Sequence, residues 1–542
     1  MENKFRRFGT MIDCSRNAVM TVDTIKKWID ITGDIGYNTV MLYMEDTYEI
    51  KGEPYFGHHR GRYSVEELRE IDDYAFEKGM EFIPCIQTLA HLNGIFHWKE
   101  YTSKIWDCTD ILLAEEQATY DLIDKMFRTF SENLRTKNIN IGMDEAFFLG
   151  LGKYLDKHGF KNRSKILTDH LKVVSEIARK YDFELTMWGD MFVRLANGGQ
   201  YYVTDFKAPK EVKESIPENV NIVYWDYYST DNEKYDNMIR AHASIKENIW
   251  FAGGLWKWGS FVPQNILSIE ANKAALASCM RNGVQDVFLT LWGDDGAECS
   301  LFSVLPSLYH ASQVACGITD DEVIKKSFKE KYGIKFDDFM LLDLPNTPSK
   351  SAKIRDSKDL RNPEKYMVYC DCFMGQYDYT VQGGESNQYL KIAKKLKKME
   401  KNEEFGYLFA KERALCELLS VKYEIGVRTR TAYLQKDMES LKCIIRDYNR
   451  IILLAKRFHK AFQAEWFVEN KPHGFDIQDI RMGGLMQRVK SCKERLEQFV
   501  DGTINRIEEL EEPVLNYHGA TSTNNNPLKS QKWSHSISAN VK

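Results

Sequence analysis

The chain has 542 residues, of which 43% are hydrophobic and 28% are charged, enough for large cores and a solvated surface. Its 74 basic and 79 acidic residues nearly balance and give a formal net charge of −5, which excludes the strongly basic surface of a dedicated nucleic-acid binder. No run of about 18 apolar residues is present, so we expect no membrane span.

Segments with strand and helix patterns alternate from the N-terminus to about residue 315. Apolar, β-rich runs predict strands at residues 10–14, 39–43, 81–86, 138–142, 184–188, 221–225, 249–252 and 286–292. Helical spacing predicts helices at 22–32, 115–134, 162–181, 207–214, 233–247, 265–281 and 302–316. A further helix is predicted to begin after Ser64, which forms a capping box with Glu67, and to run to Gly79.

Eight strand–helix repeats predict an α/β protein with a closed (β/α)8 TIM barrel. A doubly wound open sheet is the alternative, but no GxGxxG follows any strand. After residue 318 the chain becomes rich in Lys, Glu, Leu and Ala at helical spacing. We therefore predict a catalytic barrel at 1–318, an α-helical C-terminal domain at 319–512 and a polar, flexible tail at 513–542.

The cysteines and the N-terminus bear on the compartment. The 11 cysteines are scattered without a CxxC pair, and the charged N-terminus lacks the apolar stretch of a signal peptide. We expect free thiols in a reducing cytoplasm. The apolar stripes of the helical domain require a partner surface, either the flank of the barrel or a second subunit, so a homodimer is one expectation.

The barrel prediction turns the strand ends into a list of candidate site residues, because TIM-barrel active sites form at the C-terminal ends of the strands. The candidates are Arg16, His91, Asp144, Glu145, Trp188, Asp190, Trp225, Tyr227, Trp256, Trp292, Asp294 and Glu298. Carboxylates bind hydroxyl groups and Trp rings cover the apolar faces of a pyranose, so the set predicts a sugar pocket. No metal-ligand cluster, P-loop or Ser nucleophile elbow occurs, and we expect no metal and no cofactor.

The adjacent carboxylates Asp144 and Glu145 carry the strongest chemical signal. Two neighbouring carboxylates raise each other's proton affinity, so one of them can stay protonated near neutral pH and deliver a proton to a glycosidic oxygen. An acidic pair at a strand end can also simply cap the following helix. Each Trp likewise fills a core or stacks on a sugar, but four Trp residues at one rim favour a binding role.

The segment IGMDEAFFLGLG, residues 141–152, resembles the strand-four motif of family-twenty β-N-acetylhexosaminidases, which is close to H-x-G-G-D-E. Residues 11–30 are similar to the first strand and helix of that family, with Arg16 three residues after Asp13. His91 matches the strand-three histidine, and Trp188 and Trp292 match the Trp-rich ends of strands five and eight. Residues 466–485 are similar to a bacterial, signal-less branch with a C-terminal helical domain. The resemblance covers most of the chain.

The resemblance implies an exo-acting β-N-acetylhexosaminidase that removes terminal, non-reducing β-linked GlcNAc or GalNAc from a small oligosaccharide or glycoconjugate. It implies substrate-assisted retaining hydrolysis through an oxazoline, with Glu145 as acid and base and Asp144 orienting the acetamido group. Trp188, Trp225 and Trp292 would wall the pocket, and Arg16 would bind the 3- and 4-hydroxyls. Glu298 or Asp294 would bind the 4- or 6-hydroxyl.

The sequence departs from the family in three places. Met143 stands where many members have Gly. The first strand is predicted at residues 10–14, so we also expect no small α/β domain of the kind that usually precedes the barrel. Strand seven lacks the family's tyrosine segment. Tyr227 and Tyr228 are therefore the candidates for holding the acetamido oxygen.

Three other functions remain open on the sequence. One is a retaining glycosidase for non-acetamido sugars, with Asp190 or Asp294 as the nucleophile. Another is a sugar-binding barrel without turnover, against which the intact Asp144–Glu145 pair argues. A third is a scaffold that works through its helical domain, which would leave the strand-end residues without a purpose.

Overall fold

The computed structural model describes residues 3–348, 362–521 and 533–537. The chain divides into two compact units. Unit 1 comprises residues 1–255, 268–292 and 308–320, and unit 2 comprises 256–267, 293–307 and 321–542. The two units are described separately below.

The strands of unit 1 are β1 (Arg7–Asp13), β2 (Thr39–Tyr43), β3 (Glu81–Cys85), β4 (Trp106–Cys108), β5 (Ile111–Leu112), β6 (Asn138–Asn140), β7 (Glu184–Trp188), β8 (Val220–Trp225), β9 (Trp250–Gly254) and β10 (Asp286–Leu291). Eight of them form a closed parallel barrel in the order β1-β10-β9-β8-β7-β6-β3-β2, and β4 and β5 form a small antiparallel hairpin. Parallel strands joined by helices confirm the predicted (β/α)8 fold.

Helices alternate with these strands. They are α1 (Val22–Gly33), α2 (Val65–Glu77), α3 (Lys99–Thr102), α4 (Gln117–Asn133), α5 (Lys153–His158), α6 (Arg163–Arg179), α7 (Asp190–Ala196), α8 (Lys210–Ser215), α9 (Asn232–Ala243), α10 (Asn265–Arg281) and α11 (Leu305–Ala315). The predicted capping box is present: Ser64 accepts from the backbone of Glu67, and the Glu67 side chain accepts from the backbone of Ser64. It fixes where α2 begins.

The sequence patterns missed several short elements of unit 1. The hairpin β4–β5 and the short helices α3, α5 and α7 have too few residues to show a period of two or of 3.6. The fourth barrel strand was also predicted too long: β6 ends at Asn140, and Gly142 has φ +71°. A backbone in the left-handed region cannot continue a strand.

The barrel closes where its first strand meets its last. β1 pairs with β10 in a parallel register that runs from Arg7 opposite Asp286 to Ile12 opposite Leu291. The Arg7 guanidinium lies 3.3 Å from Asp286 and 2.8 Å from Glu81 at the start of β3. Charges at the N-terminal ends of three strands therefore support this closure.

Unit 2 is helical. Its helices include α12 (Asp321–Tyr332), α13 (Phe336–Phe339), α14 (Pro363–Tyr369), α15 (Glu385–Leu396), α16 (Gly406–Lys422), α17 (Ile425–Leu434), α18 (Met438–Glu469), α19 (Phe475–Val500) and α20 (Ser534–Ile537). The 32-residue α18 buries Leu441, Ile444, Tyr448, Ile451, Ala455, Phe458 and Phe462 at intervals of three and four residues. Such a stripe packs one face of a helix into a core, as predicted for this region.

The domain limits drawn from the sequence stay predictions. Two segments, 256–267 and 293–307, group with unit 2 although they were placed in the predicted barrel domain. Residues 522–532 and 538–542 of the predicted tail lie outside the described residues. The 11 cysteines are free thiols, as expected. Among the described helices, none is long and apolar enough to cross a bilayer.

Candidate active site

The loops that follow the barrel strands of unit 1 bring most of the predicted site residues together. Arg16 follows β1, His91 follows β3, and Asp144 and Glu145 follow β6. Trp188 ends β7 and Trp225 ends β8, while Tyr227 and Trp292 follow β8 and β10. The C-terminal ends of parallel strands share one mouth of a barrel, so these side chains converge there.

Gln87 fixes the position of Asp144. Its side-chain amide donates to Asp144 Oδ1 and to the hydroxyl of Tyr43, both at 2.8 Å. Its carbonyl oxygen accepts from the backbone N–H of Met143 at 3.2 Å. One buried amide therefore holds both the carboxylate and the peptide that precedes it.

His91 faces both carboxylates of the predicted catalytic pair. Its Nε2 lies 3.3 Å from Asp144 Oδ2 and 3.8 Å from Glu145 Oε2. Burial alone lowers the pKa of His91, but the charge and hydrogen bond of Asp144 outweigh it and raise this pKa to about 10. His91 is therefore a cation at neutral pH.

Asp144 is correspondingly an anion. Burial raises the pKa of its carboxyl group, but the charge of His91 and hydrogen bonds from His91 and Gln87 outweigh burial and lower the pKa below its ordinary value. Of the two adjacent carboxyl groups, Asp144 is therefore the one whose ionised form is favoured, and the role of Glu145 as the acid stays a prediction. The side chain of Asp144 is 13% exposed and that of Glu145 is 40% exposed, so Glu145 is the more open to a reactant.

The backbone of this loop is strained. Gly142, Met143 and Glu145 have φ values of +71°, +67° and +50°. A Cβ on Gly142 would lie 2.0 Å from the Gln87 side-chain oxygen, so only Gly fits there. Non-glycine residues in the left-handed region cost about 1–3 kcal/mol each and cluster at functional sites. Met143 therefore adopts a backbone conformation that favours glycine, which is the residue that many members of the resembled family have at this position.

Asp190, a predicted sugar-binding residue, lies beneath Glu145. Its side chain is fully buried, and its Oδ2 accepts from the backbone N–H of Glu145 at 3.3 Å and lies 3.3 Å from Arg194 Nε. Burial, followed by the charges of Asp144 and Glu145, raises the pKa of Asp190 to about 7 despite Arg194. Asp190 is therefore a carboxyl group that burial, reinforced by the charges of the pair, drives toward protonation.

Arg16 lies against two aromatic rings that contact each other. Its guanidinium carbon is 5.0 Å from the centroid of Tyr43 and 5.1 Å from that of Trp292. Arg16 Nη1 lies 3.2 Å from Asp13 Oδ2, and Arg16 Nη2 lies 3.6 Å from Glu45 Oε1. Two carboxylates and two rings fix its orientation, which suits a cation that must meet hydroxyl groups in one direction.

The aromatic residues continue around the mouth of the barrel. Trp188 and Trp292 lie 6.1 Å apart between centroids, and Trp225 is stacked 5.4 Å from Tyr227. The Tyr227 hydroxyl is hydrogen-bonded to the side chains of Trp292 and Thr290, and burial raises the pKa of Tyr227 well above its ordinary value. Tyr227 is therefore a buried member of this aromatic wall, while Tyr228 is half-buried beside it.

Three predicted residues belong to unit 2. Trp256 is buried and stacks on Trp258 with centroids 4.1 Å apart, and Asp294 is exposed. Glu298 lies 2.8 Å from Arg481 Nη1 and 2.7 Å from Lys365 Nζ, with its side chain fully enclosed. The proposed contacts of these three residues with a sugar stay predictions.

Sequence reasoning missed several residues that organise the site. Gln87 and Arg194 lie near strand ends but bear neither the carboxylate nor the indole that marked the other candidates. The strand-end rule, applied to every polar residue after β3, would have selected Gln87. Within the described residues, no three His, Cys, Asp or Glu side chains form a group that could hold a metal ion.

Comparisons with known proteins agree with this geometry. Residues 4–251 match the model of the glycosyl hydrolase family 20 catalytic domain, and residues 337–529 match that of the glycoside hydrolase 20C C-terminal domain. Hexosaminidase D of Bos taurus is 20% identical over 260 residues, 46% of this chain and 70% of that protein. Hexosaminidase D of Homo sapiens is 24% identical over 206 residues, 36% of this chain and 39% of that protein.

Among solved structures, the GH20 exo-β-N-acetylglucosaminidase of Vibrio harveyi aligns with a TM-score of 0.47 at 15% identity. The alignment covers 63% of this chain and 59% of that one. The two family models together span most of the chain, and the protein belongs to glycosyl hydrolase family 20. It is a glycoside hydrolase of the β-hexosaminidase type, as the sequence motif predicted.

Proposed function

We propose that the protein removes terminal β-linked N-acetylhexosamine from the non-reducing end of an oligosaccharide or glycoconjugate by substrate-assisted hydrolysis. One observation carries the proposal: Asp144 is held as an anion by His91 and Gln87 directly beside the more exposed Glu145. A fixed anion next to a reachable carboxyl group suits a reaction in which positive charge develops on the substrate.

In the proposed first step, Glu145 gives its proton to the glycosidic oxygen as the bond to the anomeric carbon breaks. The oxygen of the substrate's own 2-acetamido group forms the new bond to that carbon and gives an oxazolinium ion. Asp144 accepts from the acetamido N–H and offsets the positive charge. Water then attacks the anomeric carbon and gives its proton to Glu145, which restores both the sugar and the enzyme.

The surrounding side chains supply the walls of the proposed pocket. Trp188, Trp225 and Trp292 offer apolar faces, and Tyr227, which is buried and stacked against Trp225, is the candidate donor to the acetamido oxygen. Arg16 offers guanidinium hydrogens to the 3- and 4-hydroxyls.

The two-carboxylate alternative is weakened by the position of Asp190. A nucleophile must reach the anomeric carbon, but Asp190 is fully buried and its Oδ2 bonds to the Glu145 peptide and Arg194.

A pair of chromogenic substrates tests the proposal. We expect hydrolysis of nitrophenyl N-acetyl-β-glucosaminide, much slower hydrolysis of nitrophenyl β-glucoside, and tight competitive inhibition by a thiazoline analogue of the oxazoline. Comparable turnover of both glycosides, or indifference to the thiazoline, would transfer the assignment to the two-carboxylate class. The 4-epimer of the first substrate distinguishes GlcNAc from GalNAc preference.

We further propose a cytoplasmic homodimer. Free thiols support a reducing compartment, and exposed Leu453, Phe467, Val468 and Ile480 on α18 and α19 support association of two copies. Light scattering at several protein concentrations tests the dimer, and fractionation of the native cell tests the compartment.

A further inference from the structure

Two exposed phenylalanines follow the catalytic pair directly. Phe147 is 45% exposed and Phe148 is 55% exposed, while their neighbours Ala146 and Leu149 are buried. Large apolar side chains lose free energy by contact with water. Two such residues side by side, next to the predicted acid, therefore call for a functional explanation.

These rings are held on a fixed backbone. The Phe147 N–H donates to the carbonyl oxygen of Glu145 at 2.6 Å, and the Phe147 carbonyl accepts from Arg163 Nη1 at 2.7 Å. Three residues after Phe147, the Gly150 N–H donates to Asp107 Oδ2 at 3.2 Å. The phenylalanines thus have a set distance from Glu145, which preorganises any surface that they form.

One face of Phe147 is already covered. The Arg194 guanidinium carbon lies 5.2 Å from its ring centroid, and the same Arg194 pairs with Asp190 beneath Glu145. Contact with the cation steadies the ring, while the remaining exposed area is available to a ligand.

The chemistry of the proposed function places the leaving group on this side. The sugar to be removed occupies the pocket near the enclosed Asp144, and the glycosidic oxygen must meet Glu145 to receive its proton. The group beyond that oxygen then extends from the more exposed side of Glu145. The exposed rings that follow Glu145 in the chain are tied to it by the hydrogen bond from the Phe147 N–H to the Glu145 carbonyl oxygen.

We propose that Phe147 and Phe148 form a binding site for the leaving group, and that this group is a second pyranose whose C–H face stacks on the rings. This inference rests on the proposed function and adds to it a preference for a saccharide over a small alkyl leaving group. The stacking contact needs no hydroxyl in a particular position, so the site favours a pyranose ring without requiring one linkage.

The test compares two substrates whose leaving groups both need a proton from Glu145: methyl N-acetyl-β-glucosaminide and a β-linked N-acetylglucosamine disaccharide. The ratio of kcat/KM for disaccharide over methyl glycoside is measured in the wild-type chain and in Phe147→Ala, Phe148→Ala and the double variant. We expect this ratio to fall about tenfold in the double variant, because lost stacking affects only the larger leaving group. Phe147→Tyr, which keeps the ring, should preserve the ratio.

Phe160→Ala is the matched control, since Phe160 is 79% exposed in the same unit but is not bonded to the catalytic loop. An unchanged ratio in the double variant, or an equal fall in Phe160→Ala, overturns the proposal. A separate binding arm uses calorimetry with disaccharide and monosaccharide in a Glu145→Gln background, with and without Phe147→Ala. If the wild-type chain hydrolyses neither substrate, the proposed function fails, and the binding arm still decides whether the rings hold a second sugar.

Discussion

The barrel unit and the helical unit both bury ionised side chains, but they surround them differently. In unit 1, His91 lies 3.3 Å from Asp144 while the adjacent Glu145 is 40% exposed. In unit 2, Glu298 lies within 2.8 Å of both Lys365 and Arg481, and Glu298 and Lys365 have no exposed side-chain surface. The network around Glu298 is closed by the chain's own groups, whereas the cluster around Asp144 leaves Glu145 open to a reactant. The comparison predicts that changes in the closed network act mainly on stability and that changes in the open cluster act mainly on activity.

The largest expected effect separates the two clusters. Glu145→Gln should lower kcat on alkyl N-acetyl-β-glucosaminides by about 10²- to 10⁴-fold, because it removes the transferable proton. It should leave the unfolding midpoint nearly unchanged, since the replaced side chain is partly exposed. Steady-state kinetics and denaturant titration measure the two quantities, and wild-type kcat on a poor leaving group would refute the role of Glu145.

In unit 2 we expect the opposite of the Glu145→Gln result, namely a loss of stability. Lys365→Met should destabilise the protein by about 3–5 kcal/mol, because it leaves Glu298 and Asp295 buried without one of their cations. Urea titration followed by tryptophan fluorescence measures this loss as a fall in the free energy of unfolding. Lys326→Met, an exposed lysine paired only with Glu330 at 3.9 Å among the described ion pairs, is the control and should cost less than about 1 kcal/mol. Equal costs for the two variants would show that the closed cluster does not act as a unit.

Asp144→Asn probes the charge in the open cluster. It should reduce the rate on N-acetylhexosaminides by about 10²- to 10³-fold, since the charge that offsets the oxazolinium is lost. It should also lower the pKa of His91 from about 10. The raised His91 pKa contributes stability that is complete below about pH 6.5 and is lost as the pH rises through about 10. NMR titration of the His91 ring follows this shift, and a His91 pKa that does not move would disprove the pairing.

Asp190 offers the smallest and most specific effect. Its pKa of about 7 exceeds that of an unfolded Asp, so the folded state binds more protons and stability falls as the pH rises from about 4 to 7. Asp190→Asn should flatten this fall and shift the alkaline limb of the kcat/KM profile, with less than about tenfold loss at pH 6. Asp190→Ala, which removes the acceptor for the Glu145 N–H, should lose more. Identical profiles for the Asn and Ala variants would count against a proton on Asp190.

The order of the barrel elements was largely predictable, because each element has its own local period. The strand at residues 39–43 and the helix at 265–281 have the predicted bounds, since a β-branched apolar run and a long segment rich in good helix formers such as Ala and Leu are both self-contained signals. Short elements such as α5 and the hairpin carry no such signal.

The site was predictable only as a set of positions. The strand-end rule selected His91 and Asp144, but not that Asp144 would be the ionised partner, because this depends on Gln87 and on burial. Glu298 was selected by the same rule, yet its partner Arg481 is 183 residues away in the sequence. Pairings over such separations leave no local periodicity, and only the folded chain reveals them. The roles assigned to the site residues stay predictions.

The closure of β1 on β10 has a consequence for how the protein is made. Arg7 and Asp286 are 279 residues apart, and ribosomes add about 5–20 residues per second, so β1 waits roughly 15–55 s for its partner strand to be synthesised. Throughout that interval the nascent sheet has open edges that can pair with other chains. Slower translation before residue 286 would prolong this exposure, whereas a chaperone that covers β1 would shorten it. The yield of folded enzyme should therefore depend on codon usage upstream of β10.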